Sequence, residues 1–329
     1  MLLRPSFWLA LLLLLSLALA YDFLQTDYDP GQSFDRGRNA VWMDVVWVSE
    51  PRDPSEIQAM SRSLAQRGFK YAFVYVSSLD SSGRAIPKDY RYARDFVRAV
   101  RQSDSGLSPV AWIGIVNRAR GQGWVPIDEA AVRANVAKFS SELVHDIGFD
   151  GVQLNVEPVE NDSEELIALL REVRSAIGES SLLSITGHKW APFIPGLPFL
   201  ETSYWDSDYY ARIATAVDQI AVMTYDSYMP TDWSYSAFVK QQTIGISRAV
   251  ANRGPELLVG LPTYFEPRRN HNPAAENLRS GLRGVLAALH TSADPSTVAG
   301  VALYPMWETD ESDWQTYDAL WRNANPGAR

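Results

Sequence analysis

Three polar side chains at alternate positions form the most chemically suggestive pattern in this sequence. Residues 150–157 read Asp-Gly-Val-Gln-Leu-Asn-Val-Glu, so Gln153, Asn155 and Glu157 alternate with apolar residues. Because side chains of a β-strand point to opposite faces with a period of two, these polar groups share one face of a predicted strand. A carboxylic acid at the end of a strand, backed by two amides, is suited to proton transfer. The segment therefore predicts an acid–base site built on Glu157.

Eight apolar, β-rich segments alternate with helical patterns along the chain. Among the helices we predict 127–145 and one after the 150–157 strand, with Asp162 as its cap and an apolar stripe from Leu166 to Ile177. Eight β/α units in roughly 290 residues predict an α/β fold of the (β/α)8 TIM barrel type. A doubly wound sheet would show a Gly-rich turn after its first strand, and residues 49–52 contain no glycine. The predicted strands are 41–48, 71–76, 109–115, 151–157, 182–186, 219–225, 257–262 and 300–304.

The first twenty residues differ from the rest. Arg4 is their only charge, residues 7–17 are apolar, and a small-x-small cleavage pattern ends at Ala20. The apolar run is shorter than the roughly 20 residues of a membrane span, which favours a cleaved signal peptide over a retained anchor. We expect a secreted or cell-envelope protein, with membrane contact only if the segment is retained. The expected organisation is a signal peptide (1–20), an N-terminal extension (21–38) and a single catalytic-type barrel domain (39–329).

Composition excludes several other classes of function. The net charge is -9, from 30 basic and 39 acidic residues, so a nucleic-acid partner is not expected. The chain has no cysteine, so its stability must come from its core and not from disulfides. Its four histidines lack ligand spacing, and we predict neither a metal site nor a cofactor. The 38 aromatic residues, 11 Trp, 15 Tyr and 12 Phe, can fill a core or stack on sugar rings.

The ends of the other predicted strands supply further groups. In a parallel barrel the carboxyl ends of all strands meet at one rim, where distant residues become neighbours. Asp44 in the first strand and Tyr75 in the second point to this rim. One acid, a further carboxylate, amides and aromatic rings are what hydrolysis of a glycosidic bond requires. The last three strands end with Met223, Tyr225, Asp226, Tyr264, Tyr304 and Trp307.

These motifs resemble those of glycoside hydrolase family 18, the family of chitinases and endo-β-N-acetylglucosaminidases. Residues 150–157 look like its Asp-Gly-x-x-x-Asp-x-Glu signature. Residues 223–226 are similar to its sixth-strand Met-x-Tyr-Asp pattern, and residues 260–264 to its seventh-strand Gly-x-Pro-x-Tyr pattern. The resemblance covers essentially the whole mature chain. It implies a TIM barrel that hydrolyses β-linked N-acetylhexosamine glycans without a cofactor.

The resemblance also implies roles for individual residues. Glu157 would protonate the leaving oxygen and then activate water. The substrate's own 2-acetamido oxygen would be the nucleophile, with Tyr225 donating a hydrogen bond to it and Asn155 accepting the acetamide N–H. The residues expected to bind the carbohydrate substrate are Asp226, Gln153, Met223, Tyr264, Tyr304, Trp307 and Asp44.

Three departures from the family pattern affect this expectation. Asn155 replaces the second signature aspartate, and Gln153 an earlier one; a related Asn-x-Glu pair is found in glycoside hydrolase family 85, whose endoglycosidases also use the acetamide. The third-strand Ser-x-Gly-Gly is replaced by residues 112–115, Trp-Ile-Gly-Ile. The usual eighth-strand tryptophan falls on Tyr304, with Trp307 three residues later. We therefore expect slow or specialised hydrolysis.

Two alternatives remain open at this point. The first is a glycan-binding, lectin-like barrel with weak or no turnover. The second is a hydrolase of a sugar without an acetamide, in which Asp226 or another carboxylate takes the second catalytic role. The sequence is equally compatible with chitin-like, peptidoglycan and N-glycan substrates.

Overall fold

The structure is a computed structural model that describes residues 25–29, 32–119, 121–192, 203–291 and 293–322. The predicted signal peptide, residues 1–20, lies outside the described residues. No helix among the described residues is long and apolar enough to cross a membrane.

Eight parallel strands close into a barrel, as predicted. The barrel strands are β1 (Asn39–Met43), β2 (Phe69–Ser78), β3 (Ser108–Val116), β4 (Gly151–Glu157), β5 (Leu182–Gly187), β8 (Gln219–Met223), β9 (Glu256–Pro262) and β10 (Val298–Tyr304). Neighbouring strands follow the order β1-β10-β9-β8-β5-β4-β3-β2 before the barrel closes. Two short strands, β6 (Lys189–Trp190) and β7 (Tyr204–Trp205), pair in parallel above β5.

Helices surround this barrel. Short 3₁₀ turns at Pro87–Tyr90 and Met306–Glu308 and π-helical turns at Glu142–Ile147 and Asp318–Arg322 complete the connections. The α-helices are α1 (Val46–Ser49), α2 (Pro54–Gln66), α3 (Ala93–Gln102), α4 (Ala130–Ser141), α5 (Glu164–Ile177), α6 (Ser207–Ile213), α7 (Asp232–Val250), α8 (Leu278–Thr291) and α9 (Glu311–Tyr317).

The apolar residues of the strands serve two separate cores. Outward-facing side chains pack against the helices in one large cluster, which includes the predicted stripe of α5. Inward-facing side chains fill the barrel, and here Trp42 and Phe73 lie with ring centroids 5.5 Å apart. A TIM barrel interior is a packed core and not a pore. The barrel is therefore closed below the level at which its strands end.

The predicted first strand, 41–48, was wrong in its second half. β1 ends at Met43, and residues 46–49 form the short helix α1. The carboxylate of Asp44 accepts the N–H of Val46 at 2.9 Å, and the N–H of Val48 donates to the carbonyl of Val45 at 2.9 Å. A short acceptor side chain offers the backbone a local partner and so competes with the sheet ladder. Asp44 therefore begins a turn, although three of the next four residues are β-branched.

The predicted cap of α5 is displaced by one residue. The helix begins after Ser163, whose hydroxyl accepts the N–H of Leu166 at 3.2 Å. Asp162 instead has φ of 64° and belongs to the preceding turn.

The sixth barrel strand, β8, is shorter than predicted and ends at Met223. Thr224, Tyr225 and Asp226 therefore stand beyond the strand, at the rim.

Candidate active site

A cavity of about 770 Å³ opens at the carboxyl ends of the barrel strands. Strands β2, β3 and β4 and the segment after β5 supply most of its wall. Among the described residues that line it, Glu157 is the one carboxylate and Lys189 the one lysine or arginine. The lining includes Tyr75, Trp112, Asn155, Glu157, Lys189 and Met223.

Glu157 is the last residue of β4 and faces this cavity. Its backbone carbonyl accepts the N–H of Asn117 at 2.8 Å, and the side-chain amide of Asn117 donates to the carbonyl of Pro158 at 2.8 Å. Burial raises the pKa of the Glu157 carboxyl, the Lys189 ammonium lowers it, and the Asp226 carboxylate raises it. Because the net direction is upward, Glu157 can hold a proton and donate it to a leaving group.

Asn155 lies two residues before Glu157 and lines the same cavity. Its Oδ1 accepts a hydrogen bond from the hydroxyl of Thr186 on β5 at 2.6 Å. An amide oxygen has two lone pairs, so one acceptor position remains for a ligand. Thr186 therefore orients the Asn155 amide without using up its acceptor capacity.

Gln153 lies deeper in the barrel and is fully buried. Its Oε1 accepts the indole N–H of Trp42 at 2.6 Å, and its Nε2 donates to the hydroxyl of Ser184 at 3.1 Å. These two bonds join β1, β4 and β5 below the cavity, whose lining does not include Gln153. The structure places Gln153 as a support beneath Asn155 and Glu157, outside contact range for a ligand in the cavity.

Tyr225 and Asp226 follow β8 and stand beside Glu157. The Tyr225 ring stacks on Tyr304 with centroids 5.1 Å apart and an angle of 10°. Among the described residues its hydroxyl has no hydrogen-bond partner. Burial, followed by the charges of nearby Tyr304 and Glu157, raises the pKa of Tyr225 well above its usual value. This tyrosine therefore remains a neutral donor.

The Asp226 carboxylate accepts the hydroxyl hydrogen of Tyr264 at 2.7 Å. Asp226 adopts φ of 53°, a left-handed conformation that turns the chain sharply after Tyr225. Tyr264 is buried at the end of β9, where burial and this bond to Asp226 raise the pKa of its phenol. The pair joins the ends of β8 and β9, so Asp226 has a partner within the protein.

Behind this pair lies a buried hydrogen-bond network. Glu276 accepts the N–H and the hydroxyl of Ser227 at 2.9 and 2.6 Å. His271 Nδ1 lies 3.3 Å from Glu276, and its Nε2 lies 3.3 Å from the carbonyl of Tyr264. Because a carbonyl can only accept, Nε2 donates, and Nδ1 faces a carboxyl group. Asp226, His271 and Glu276 do come within 4.8 Å of one another, but these contacts use both ring nitrogens and do not fit a metal ligand set.

The remaining predicted site residues occupy different positions. Met223 lines the cavity. Trp307 lies on the rim, is 45% exposed and packs edge-on against Tyr304 at 5.9 Å. Asp44 also lies at the carboxyl end of its strand, but its carboxylate accepts the N–H of Val46 in the turn before α1. The structure therefore brings Met223 and Trp307 to the cavity or its rim, whereas Asp44 acts in a local turn.

Tyr75 and Trp112 line the same cavity as Asn155 and Glu157. Their rings meet edge-on with centroids 4.7 Å apart. A Cβ atom on Gly114 would lie 2.7 Å from the Tyr75 hydroxyl oxygen, which is closer than real Cβ atoms approach other atoms. Gly114 thus makes room for Tyr75. The departure of this third strand from the Ser-x-Gly-Gly pattern places a large indole, Trp112, against the cavity.

Lys189 is the charged residue of the cavity that the sequence analysis missed. It belongs to β6, a two-residue strand that continues the direction of β5 after one residue. Its only signal in the sequence is alternation, because residues 186–190 read Thr-Gly-His-Lys-Trp with a cation between two aromatic residues. Burial lowers the pKa of its ammonium below the usual value, and the charges of Asp226, Glu157 and Glu276 offset only part of this shift.

Comparison with known protein families agrees with this geometry. The sequence model of the family described as Glycosyl hydrolases family 18 matches residues 57–325. The chain belongs to this family. As a family 18 member it is a glycosidase, as the signature motifs predicted. A comparison with curated proteins finds no match.

Solved structures of a spore cortex-lytic enzyme and of chitinases share the fold at low sequence identity. The Bacillus cereus spore cortex-lytic enzyme SleL is 11% identical, with a TM-score of 0.59 over 86% of this chain and 74% of SleL. A class V chitinase from Pseudomonas fluorescens Pf-5 is 15% identical, with a TM-score of 0.55 over 86% of this chain and 98% of the chitinase. A family 18 chitinase from Cycas revoluta, solved with (GlcNAc)4, is 16% identical, with a TM-score of 0.55 over 88% and 99% of the two chains. These likenesses support the TIM barrel.

Proposed function

We propose that this family 18 enzyme hydrolyses β-linked N-acetylhexosamine glycans by substrate-assisted catalysis, with Glu157 as the acid and then the base. One observation carries the proposal: among the described residues, Glu157 is the single carboxylate in the cavity wall. A hydrolase with two protein carboxylates needs the second one beside the scissile bond. Asp226, a carboxylate whose charge acts on Glu157, accepts a hydrogen bond from Tyr264 and is not part of that wall. The nucleophile therefore comes from the substrate.

The reaction proceeds in two steps that return the enzyme to its starting state. Glu157 first gives its proton to the glycosidic oxygen, while the acetamide oxygen bonds to C1 and the bond to the leaving sugar breaks. The Glu157 carboxylate then takes a proton from water as that water attacks C1 and opens the oxazolinium ring. The upward pKa shift of Glu157 supports the first step, because the group must be protonated when substrate binds.

Tyr225 and Asn155 position the acetamide in this scheme. The Tyr225 hydroxyl lacks a partner among the described residues and is close enough to Glu157 for its charge to act on the phenol. It can donate to the acetamide oxygen, and the free lone pair of Asn155 Oδ1 can accept the acetamide N–H. An amide carries no charge, so it stabilises the cationic oxazolinium less than an aspartate would. We therefore expect slower turnover than in an enzyme that has aspartate at this position.

Three kinds of observation support the class of substrate and its location. The structural relatives include chitinases, a spore cortex-lytic enzyme and a complex with (GlcNAc)4, all of which are consistent with glycans of N-acetylglucosamine. The exposed Trp307 at the rim offers an aromatic face for a sugar ring. The composition of residues 1–20 supports export, and hence a substrate outside the cytoplasm.

The test compares the wild type with Glu157→Gln on two substrates, an N-acetylglucosamine oligosaccharide and the glucose oligosaccharide of the same length and linkage. We expect cleavage of the first only, and a loss of at least about 10³-fold in kcat for Glu157→Gln. Glu179→Gln is the matched control, because Glu179 is exposed and lies at the far end of α5. Equal cleavage of both substrates would exclude the acetamide as nucleophile. Turnover by Glu157→Gln would remove Glu157 from the mechanism.

A further inference from the structure

Lys189 brings to the cavity of the proposed active site an ammonium group that has no ion-pair partner among the described residues. Its side chain is largely buried and lines the same wall as Glu157 and Asn155. Among the described residues it forms neither a hydrogen bond nor an ion pair. Buried charges in proteins are normally paired, because removing them from water is costly. A lysine in this state is suited to an anionic partner that arrives with the ligand.

The backbone around Lys189 is held firmly on both sides. On the N-terminal side, the carbonyl of His188 accepts the hydroxyl hydrogen of Tyr210. On the C-terminal side, the carbonyl of Trp190 accepts from Gln242 Nε2 at 2.8 Å, and the Trp190 N–H donates to Gln242 Oε1 at 2.5 Å. Trp190 itself packs against Gly245 of α7, where a Cβ atom would come within 2.4 Å of the indole.

This anchoring determines where the Lys189 side chain points. Trp190 is directed outwards to α7, and neighbouring residues of a strand point to opposite faces. Lys189 is therefore directed inwards, to the cavity. A charge held in place before the ligand binds loses little conformational freedom on binding, which is the condition for strong and selective recognition.

The charges of the wall change when the proposed reaction begins. Glu157 must be protonated to act as the acid, and it then carries no charge. Asn155 is neutral, although the family signature has an aspartate at this position. In that state Lys189 is the only charged side chain among the described lining residues. Asp226 and Glu276 act on Lys189 from behind the wall, but no carboxylate of a described residue is within ion-pair distance of its ammonium.

From this geometry we propose that Lys189 binds a carboxylate carried by the substrate, so that the enzyme prefers acidic N-acetylhexosamine glycans to neutral ones. This inference rests on the proposed function and specifies its substrate class. The acidic group stands on a sugar next to the cleaved bond, as the lactyl ether of an N-acetylmuramic acid residue does. A charge-assisted hydrogen bond between ammonium and carboxylate is about twice as strong as a neutral one. Substrate binding in turn supplies a negatively charged partner for the buried ammonium.

The first experiment needs no change at Lys189. Two tetrasaccharides of alternating N-acetylglucosamine and N-acetylmuramic acid are compared, one with free lactyl carboxyl groups and one with the same groups converted to carboxamides. The two probes have the same linkages and acetamido groups, and they differ only in charge. We expect kcat/KM to be at least about tenfold higher for the carboxylate form. A smaller preference, or a preference for the carboxamide, overturns the proposal.

The second experiment assigns the preference to Lys189. Binding of both probes is measured by calorimetry in Glu157→Gln protein, which separates recognition from turnover. We expect the preference for the carboxylate to fall by at least about tenfold when Lys189→Met is added. Lys189→Arg should keep a preference, and Lys138→Met, a change of the same kind on the exposed side of α4, should leave it unchanged.

The outcomes distinguish this inference from the proposed function. If Glu157→Gln abolishes cleavage but Lys189→Met leaves the preference unchanged, the acid–base assignment stands and the role of Lys189 is refuted. If Glu157→Gln still cleaves either probe, the proposed function itself fails. Thermal melting of each variant identifies a folding defect, and in that case the comparison of the two probes on the wild type still decides the proposal.

Discussion

Replacing Asn155 by aspartate changes the charge of the site while keeping its shape. The two side chains have the same size, and the bond from the Thr186 hydroxyl to Oδ1 survives because a carboxylate accepts it equally well. The substitution also restores the residue of the family signature. We expect Asn155→Asp to raise turnover and to move the alkaline limb of the pH–rate profile to higher pH.

The size of the expected pH shift follows from the spacing of residues 155 and 157 along β4. Asn155 and Glu157 are two residues apart on one face of β4, which separates them by about 6.6 Å. Two unit charges at that distance repel by about 2.5 kcal/mol at an effective dielectric constant of 20. A repulsion of that size moves a titration midpoint by about 1.8 pH units. The Lys189 ammonium offsets part of it, so we expect a shift of about one pH unit or more.

The sign is determined by the role of Glu157 as an acid. A new negative charge disfavours the ionised form, so the pKa of Glu157 rises further and the group stays protonated to higher pH. The assay is kcat/KM between pH 4 and 9 on an N-acetylhexosamine oligosaccharide, with Asn155→Ala as the control that removes the amide without adding charge. Asn155→Ala should lower kcat/KM without moving the alkaline limb of the pH profile to higher pH. A limb that stays in place or moves down in Asn155→Asp refutes the reasoning.

Three further outcomes follow from the structure. Tyr225→Phe should lower kcat by about 10²-fold or more on acetamido sugars and leave the urea unfolding midpoint unchanged, because the lost hydroxyl has no partner among the described residues; an unchanged kcat contradicts its role. Gln153→Leu should destabilise the fold by about 1–3 kcal/mol in urea unfolding, since it leaves the buried Trp42 indole N–H and Ser184 hydroxyl without their partner; an unchanged midpoint contradicts that network. The exported protein should begin at Tyr21 when its N-terminus is sequenced, and an uncleaved N-terminus contradicts the predicted signal peptide.

Periodicity was sufficient to predict the barrel and the chain order of its strands. A period of two in residues 153–157 places three polar groups on one face, and the eight segments appear as strands in the expected chain order. The boundaries were less predictable where a side chain acts on the backbone. Asp44 stops β1 by accepting a backbone N–H, an interaction that β propensity does not register.

Lys189 shows the second limit of prediction from sequence. Its position depends on a two-residue strand held by partners far along the chain, including Gln242 of α7, 52 residues away. No local pattern contains that information. Gln153 shows the same limit in another form. The sequence shows that it shares a face with Glu157, but only the contacts with Trp42 and Ser184 show that it is sealed beneath the cavity.

Asn155 and Lys189 act on Glu157 in the same direction. Relative to an aspartate, the amide takes away a negative charge, and the ammonium adds a positive one, so both favour ionised Glu157. Burial and Asp226 act in the opposite direction. A carboxylate bound at Lys189 neutralises the ammonium and so raises the pKa of Glu157 at the moment when its proton is needed. A neutral glycan leaves the ammonium without an ion-pair partner. The pKa of Glu157 is then lower, and the group holds its proton less strongly. Substrate charge and acid strength are thereby linked within one cavity.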